Sequence, residues 1–537
     1  MLASASTGSY TLAAYDERAG TFAFTPPPGK YAIAVTSQNQ YAYVEATEAP
    51  GAPTVTLSSD CYRVTGQITG APGAAAVVWF ARLSRKFGDR FAAVPDAHGQ
   101  VTACLPDGTY RAIVDGAATS FPIWIRVAAD TTVALPAYVK AQLEASPRGA
   151  QLANEDLPSF AQAIRGHTVI GMAEANHGTA EFFTYRAKLA LELARAGNLR
   201  AILLEADAIA MFAIDDYVMG AEVDVAQAVV ALNFWITDVR EFLAALADLR
   251  AYNAHVAAAR KVHVLGIDAQ RLEPPVALLL AHRVPLAISE READLLSRIA
   301  PDHGKPFTAM SDDDRTTLLA ALDRWARTTA DITQVAGRAA VAAKSIRLQL
   351  GYLVEPGIDA LRDPAMAELA QQIIALTGAK QVAVWAHLGH LSRIGRYGAR
   401  SLGEHLAERF AADYYPIAFL SFRGAARAWD AGGQIGVIPH ALAPAPAFSL
   451  EAVLRQATGA PEVAWVRLDQ ANPVLQRWLD SPRYVREFGS AYQPGDAEKL
   501  HAFPAEFPAV VVLDHTSPTT PTPTGVRCVG AAPCGGS

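Results

Sequence analysis

The sequence predicts an α/β protein, with a central sheet and a helical insert, preceded by tandem small all-β sandwich modules. Three observations predict it. From about residue 138, short apolar runs alternate with long helical periodicities, the pattern of layered α/β folds. Before that point, Gly20, Pro27, Gly29 and Tyr31 recur as Gly99, Pro106, Gly108 and Tyr110, at a constant spacing of 79 residues. Each copy alternates apolar and polar residues around a Pro/Gly turn, a hairpin signature. The third observation is composition. The 537 residues are 51% hydrophobic and 18% charged, against roughly 25% charged in typical soluble chains. That supports a sizeable core and excludes a disordered chain.

The elements follow in chain order. Residues 1–59 read as a partial β module and 60–137 as a complete one. Both resemble the carboxypeptidase-regulatory-like (transthyretin-like) β-sandwich, a spacer or binding module of exported proteins. The second copy opens near Cys61, and the same spacing puts the opening of the first before residue 1. Either upstream sequence is missing, a signal peptide included, or the first copy is degenerate; residues 1–20 hold no signal peptide themselves. The cysteines pair locally as Cys61 with Cys104 and Cys528 with Cys534. Two disulfides and an extracytoplasmic location are expected, with four inert thiols as the alternative. In residues 138–515, strands are expected at 168–172, 200–204, 262–267, 381–386 and 415–422. Helices are expected at 179–196 and 235–259, and 290–378 reads as mostly helical with turns at PDHGKP and EPG. Residues 516–537 are rich in Thr, Pro and then Gly, and read as a flexible tail.

Four of these strands end in ionisable residues: Glu174 and His177, Glu205 and Asp207, Asp268, then His387 and His390. In α/β sheets, sites lie beyond the carboxyl ends of the strands. Histidine suits general-base work near neutral pH, a carboxylate can orient its ring, and Arg186 on the next helix can hold a carboxylate or an oxyanion. No GxSxG elbow, GxxxxGK[ST], GxGxxG or HExxH occurs. A metal site built from His387, His390, Glu174, Glu205 and His177 stays open at this point. The net charge of −7 carries no basic cluster, so no nucleic-acid partner is expected. No apolar run approaches the roughly 20 residues of a membrane span.

These segments resemble the erythromycin esterase family. GMAEANHGTAEFF followed by TYR and then AILLEAD matches its hallmark. FWITDVREFLAALADLRAYN, VLGIDAQ, LRDPAMAE, VWAHLGHLSR, SLGEHLAERFAADYYPIAF, RYVREFG and VVVLDHTSP continue the likeness over about residues 155–520. The resemblance implies hydrolysis of a carboxylic ester or lactone, a macrolide included, by water and without a serine nucleophile. His177 matches the water-activating histidine and Glu174 its partner; Arg186, Glu205 and His387 complete the implied catalytic set. His390, Asp268 and Trp235 are expected to face a small-molecule ester substrate. No cofactor and no metal are expected. A metal-dependent hydrolase using the same His/Glu cluster, and an exported ligand-binding protein, are the competing readings. Two positions depart from the family pattern: Ala173 stands where it has Gly, and Leu388 where its HNxH has Asn.

Overall fold

The computed structural model describes residues 2–4, 10–11, 14–16, 21–23, 29–49, 55–82, 90–120, 123–300, 306–354, 358–394, 400–430, 436–493 and 497–522. Gly20 and Pro27 of the first repeat, the two expected turns and the Cys528/Cys534 pair lie outside these residues. Two compact units divide between Ala145 and Ser146. The division falls after the strand Thr131–Val139, through which a boundary at 138 would cut.

The first unit is all-β in its strands. Its second repeat forms two four-stranded sheets. One holds Tyr62–Thr69, Gln100–Leu105, Ala118–Ser120 and Thr131–Val139; the other holds Ala75–Arg82, Arg90–Ala93, Gly108–Gly116 and Ile123–Val127. Alternate residues of both, among them Val64, Ile68, Phe80, Phe91, Tyr110 and Leu135, fill one buried core. The repeated residues have local jobs. Gly99 takes a left-handed turn at φ +76°, and the buried Tyr110 hydroxyl donates to the Pro106 carbonyl at 2.8 Å. Cys61 and Cys104 form a disulfide.

The second unit is built on a mixed sheet. Its main strands are β1 (Val169–Glu174), β2 (Leu199–Asp207), β3 (His263–Asp268), β4 (Gln381–His387), β5 (Tyr414–Asp430), β6 (Val463–Arg467) and β7 (Ala509–Thr516). Their order is β3-β2-β4-β1-β5-β7-β6, parallel except for β6 against β7. β1 and β4 are buried along their whole length, which is why they read as continuous apolar runs. Register aligns their ends, with Glu174 opposite His387 and Asp207 opposite Asp268. The helices used below are α1 (Ala180–Arg195), α2 (Arg240–Ala254), α3 (Ile358–Thr377) and the single turn α4 (Leu388–Leu391).

Three differences from the sequence reading have physical causes. β5 extends to Asp430 because its second half gains an antiparallel partner, Val437–Leu442. α2 starts at Arg240, five residues later than expected. The amides of Thr237 and Asp238 instead bond back to the Phe234 carbonyl, and Val239 is extended at φ −141°. The supposed tail begins as a strap. Ala180 N–H donates to Ser517 O at 3.0 Å and Arg240 N–H to Thr520 O at 2.8 Å. In return Glu181 and Glu241 accept from the amides of Ser517 and Thr520. One short segment therefore caps the amino ends of α1 and α2.

Candidate active site

The turn after β1 sets the first histidine. Asn176 Oδ1 accepts from Gly178 N–H at 3.2 Å and from the Thr179 hydroxyl at 2.8 Å, closing the turn. Gly178 is required by contact: a Cβ there would lie 1.7 Å from the Arg427 carbonyl oxygen. Within this turn His177 Nδ1 lies 2.8 Å from Glu174 Oε1. Arg186, one helical layer behind, pairs with Glu174 Oε2 at 2.6 Å. The guanidinium sits between the rings of Phe183 and Trp385, each 5.1 Å from its centre, and burial lowers its proton affinity. Ion-paired in this way, Glu174 accepts from His177 Nδ1–H, which leaves His177 Nε2 with its lone pair free.

His387 has the opposite tautomer. Its Nδ1 accepts from Gly389 N–H at 3.2 Å, so the proton is on Nε2. Burial, assisted by the nearby His177 and His390 and opposed by Glu487, brings its pKa down to about 4. The ring is neutral, and its Nε2–H has no hydrogen-bond partner among the described residues. The His177 and His387 ring centres are 5.1 Å apart. A cleft beside them is lined by Glu174, Arg186 and Glu205 and by apolar Phe183, Leu204 and Phe234.

Behind this pair lies a charged network. Glu205 Oε2 accepts from the His387 amide at 2.9 Å, and its Oε1 lies 2.8 Å from Arg362 Nη2 and 3.2 Å from His390 Nε2. Burial would raise the Glu205 pKa, yet His390 and Arg362 hold it well below the usual carboxylate range. Arg362 also binds Asp268 Oδ2 through Nε at 3.0 Å and Nη2 at 2.6 Å. His390 Nδ1 meets Asp363 Oδ1 at 2.6 Å. Burial disfavours its charge, but Glu205 and Asp363 outweigh that and raise its pKa to about 10. The two carboxylates favour the imidazolium form of His390, while Arg362 Nη1 lies 3.3 Å from its Nε2.

The structure brings Glu174, His177, Arg186, Glu205 and His387 together. Asp268 and His390 stand one layer back, each in contact with charged neighbours. Trp235 lies beneath the Arg427 guanidinium at 5.7 Å, while its neighbours Phe234 and Ile236 line the cleft. Asp207 caps the next turn by accepting from the amides of Ile209 and Ala210. Arg362 and Asp363 escaped the sequence reading, although LRDPAMAE contains both. So did Glu487, within RYVREFG, and its buried partner His501. Among the described residues, no three His, Cys, Asp or Glu side chains are arranged to hold a metal ion. Of the carboxylates at the site, Glu174, Glu205 and Asp268 are ion-paired with arginines.

An erythromycin esterase family profile matches residues 196–516. The chain belongs to the erythromycin esterase family. Membership implies an esterase-like hydrolase of small molecules. The matched range holds Glu205, Asp268, Arg362, His387, His390 and Glu487; Glu174, His177 and Arg186 precede it, so geometry alone joins them to the rest. No curated protein matches this chain. Among solved structures, a Bacillus cereus protein is 19% identical with a TM-score of 0.57, covering 71% of this chain and 98% of its own. A succinoglycan biosynthesis protein is 16% identical with a TM-score of 0.58 and the same coverage. An erythromycin esterase mutant in an open conformation is 18% identical with a TM-score of 0.48, covering 68% and 98%. The first two show that this erythromycin esterase family member shares their fold.

Proposed function

We propose that the protein hydrolyses a carboxylic ester or lactone with water activated by His177, without a covalent serine intermediate. The observation that carries this reading is the pair of opposite tautomers. His177 presents a bare Nε2, held by Glu174, while His387 presents a neutral Nε2–H. The first can take a proton from water. The second can donate to the carbonyl oxygen as it becomes an oxyanion. Glu174, paired with Arg186, stabilises the imidazolium formed at His177. That imidazolium then protonates the leaving alkoxide, so the proton count closes within one residue.

The reading covers carboxylic esters and lactones as a class, and the apolar Phe183, Leu204 and Phe234 form the wall beside the catalytic pair. A macrolide lactone is one member of that class. The Cys61–Cys104 disulfide supports an oxidising, extracytoplasmic setting.

The test is a panel of p-nitrophenyl esters, simple lactones and macrolides, each assayed with and without EDTA, alongside intact-mass measurement during turnover. Hydrolysis that survives chelation, with no acyl adduct on the chain, is expected. Activity lost on chelation and restored by zinc would favour the metal-dependent reading. A trapped acyl-enzyme would end the direct-water mechanism.

A further inference from the structure

The segment that follows the short strand Arg483–Arg486 comes close to both histidines. Phe488 N–H donates to the Ala175 carbonyl at 2.9 Å, which fixes the segment to the turn that carries His177. Glu487 N–H donates to Ala497 O at 2.7 Å. Glu487 Oε1 lies 3.9 Å from His387 Nε2. That separation is too long for a hydrogen bond and suits a bridging water. The other oxygen, Oε2, is 3.1 Å from His501 Nε2, and His501 Nδ1 is 3.0 Å from Glu506 Oε2. Glu506 also accepts from the Ser392 hydroxyl at 2.8 Å and the Ala502 amide at 2.7 Å. His501 is 0% exposed, Glu506 1% and Glu487 3%. Burying three ionisable side chains is costly, and this set is spent on holding one carboxylate beside His387.

Gly489 marks the space itself. A Cβ built on it would lie 3.9 Å from His177 Nε2 and 3.9 Å from His387 Nε2. Among the described residues, no other atom outside its chain neighbours comes within 4 Å, and its backbone is not left-handed. The protein therefore has room for a methyl group here and leaves it out.

We propose that the space bounded by His177 Nε2, His387 Nε2, Glu487 and Gly489 seats the attacking water, with Glu487 and Gly489 as its positioning residues. This rests on the reading of His177 as the base. The hydrogen bonding closes: before substrate binds, the water accepts from His387 Nε2–H and donates one O–H to His177 Nε2 and the other to Glu487 Oε1; when the carbonyl oxygen enters, it takes over the His387 Nε2–H, and the water turns the freed lone pair to the carbonyl carbon. When His177 takes the first proton, hydroxide oxygen bonds to carbon and the carbonyl π electrons move to oxygen.

Two arms test it on the full chain. A high-resolution crystal structure of the wild type should show a water within hydrogen-bonding distance of both Nε2 atoms, and Gly489→Ala should displace it without moving either ring. Kinetics on p-nitrophenyl butyrate should show Gly489→Ala losing roughly 10²-fold in kcat with KM within about 3-fold, as expected when a reacting atom is misplaced by about 1 Å. Glu487→Gln should also lower kcat with little change in KM, a split that a bracing role alone would not give. An empty space in the wild-type crystal overturns the proposal, and this arm needs no substrate. So does full turnover by Gly489→Ala when His177→Ala is inactive. Full turnover by His177→Ala itself would instead overturn the reading of the base.

Discussion

At the scale of single residues, the site depends on which nitrogen carries a proton, and each tautomer is set by one neighbour. Arg186 is the least visible of these neighbours and the most exacting. Arg186→Leu would leave Glu174 buried without its counter-ion, at a cost of roughly 3–5 kcal/mol. Thermal unfolding should show that loss, and Arg186→Lys should recover only part of it because a point charge cannot fill the slot between Phe183 and Trp385. His390 allows a test with a sign. Its folded pKa is raised to about 10, above the ordinary histidine value, so its stabilising effect is complete below about 6.5 and fades as pH rises through about 10. Wild-type stability should therefore fall across that window, and His390→Gln should flatten the slope. A parallel decline in both proteins would show that His390 is not the titrating group.

At the scale of elements, strand ends were legible and their partners were not. VIGMAE and, after Gln381, VAVWAH are apolar until their last residue, so the switch to an ionisable side chain marks the carboxyl edge of the sheet directly. Arg362 sits on α3, where helical periodicity separates buried from exposed positions but not which buried position meets the edge of a distant strand. Glu487 and His501 lie on short pieces with no periodicity to read, and Leu388 shows that an apolar residue can stand inside the motif without opening the site. The strap was missed for a related reason. Its composition resembles a linker, whereas its order comes from the amino ends of two helices far away in sequence. Glu241→Ala should remove the acceptor for the Thr520 amide and lower stability by roughly 0.5–2 kcal/mol, the range for lost caps. Denaturant unfolding would measure it, and an unchanged midpoint would show that the strap does not stabilise α2.

At the scale of the whole molecule, every residue assigned to chemistry lies in the unit that begins at Ser146. A chain starting there should fold and keep its esterase activity, and a folded but inactive product would show that the β unit helps to build the site. Thiol titration of the unfolded, unreduced protein should find Cys61 and Cys104 unreactive. Neither outcome bears on the central claim, that a histidine at the end of the first strand activates water. The most direct measurement of that claim is kcat/KM of His177→Ala, on whichever ester the wild type cleaves best, with unfolding temperature recorded in parallel. The account predicts a loss of roughly 10²–10⁴-fold at an unchanged unfolding temperature. Near wild-type turnover by a fully folded His177→Ala enzyme would contradict it.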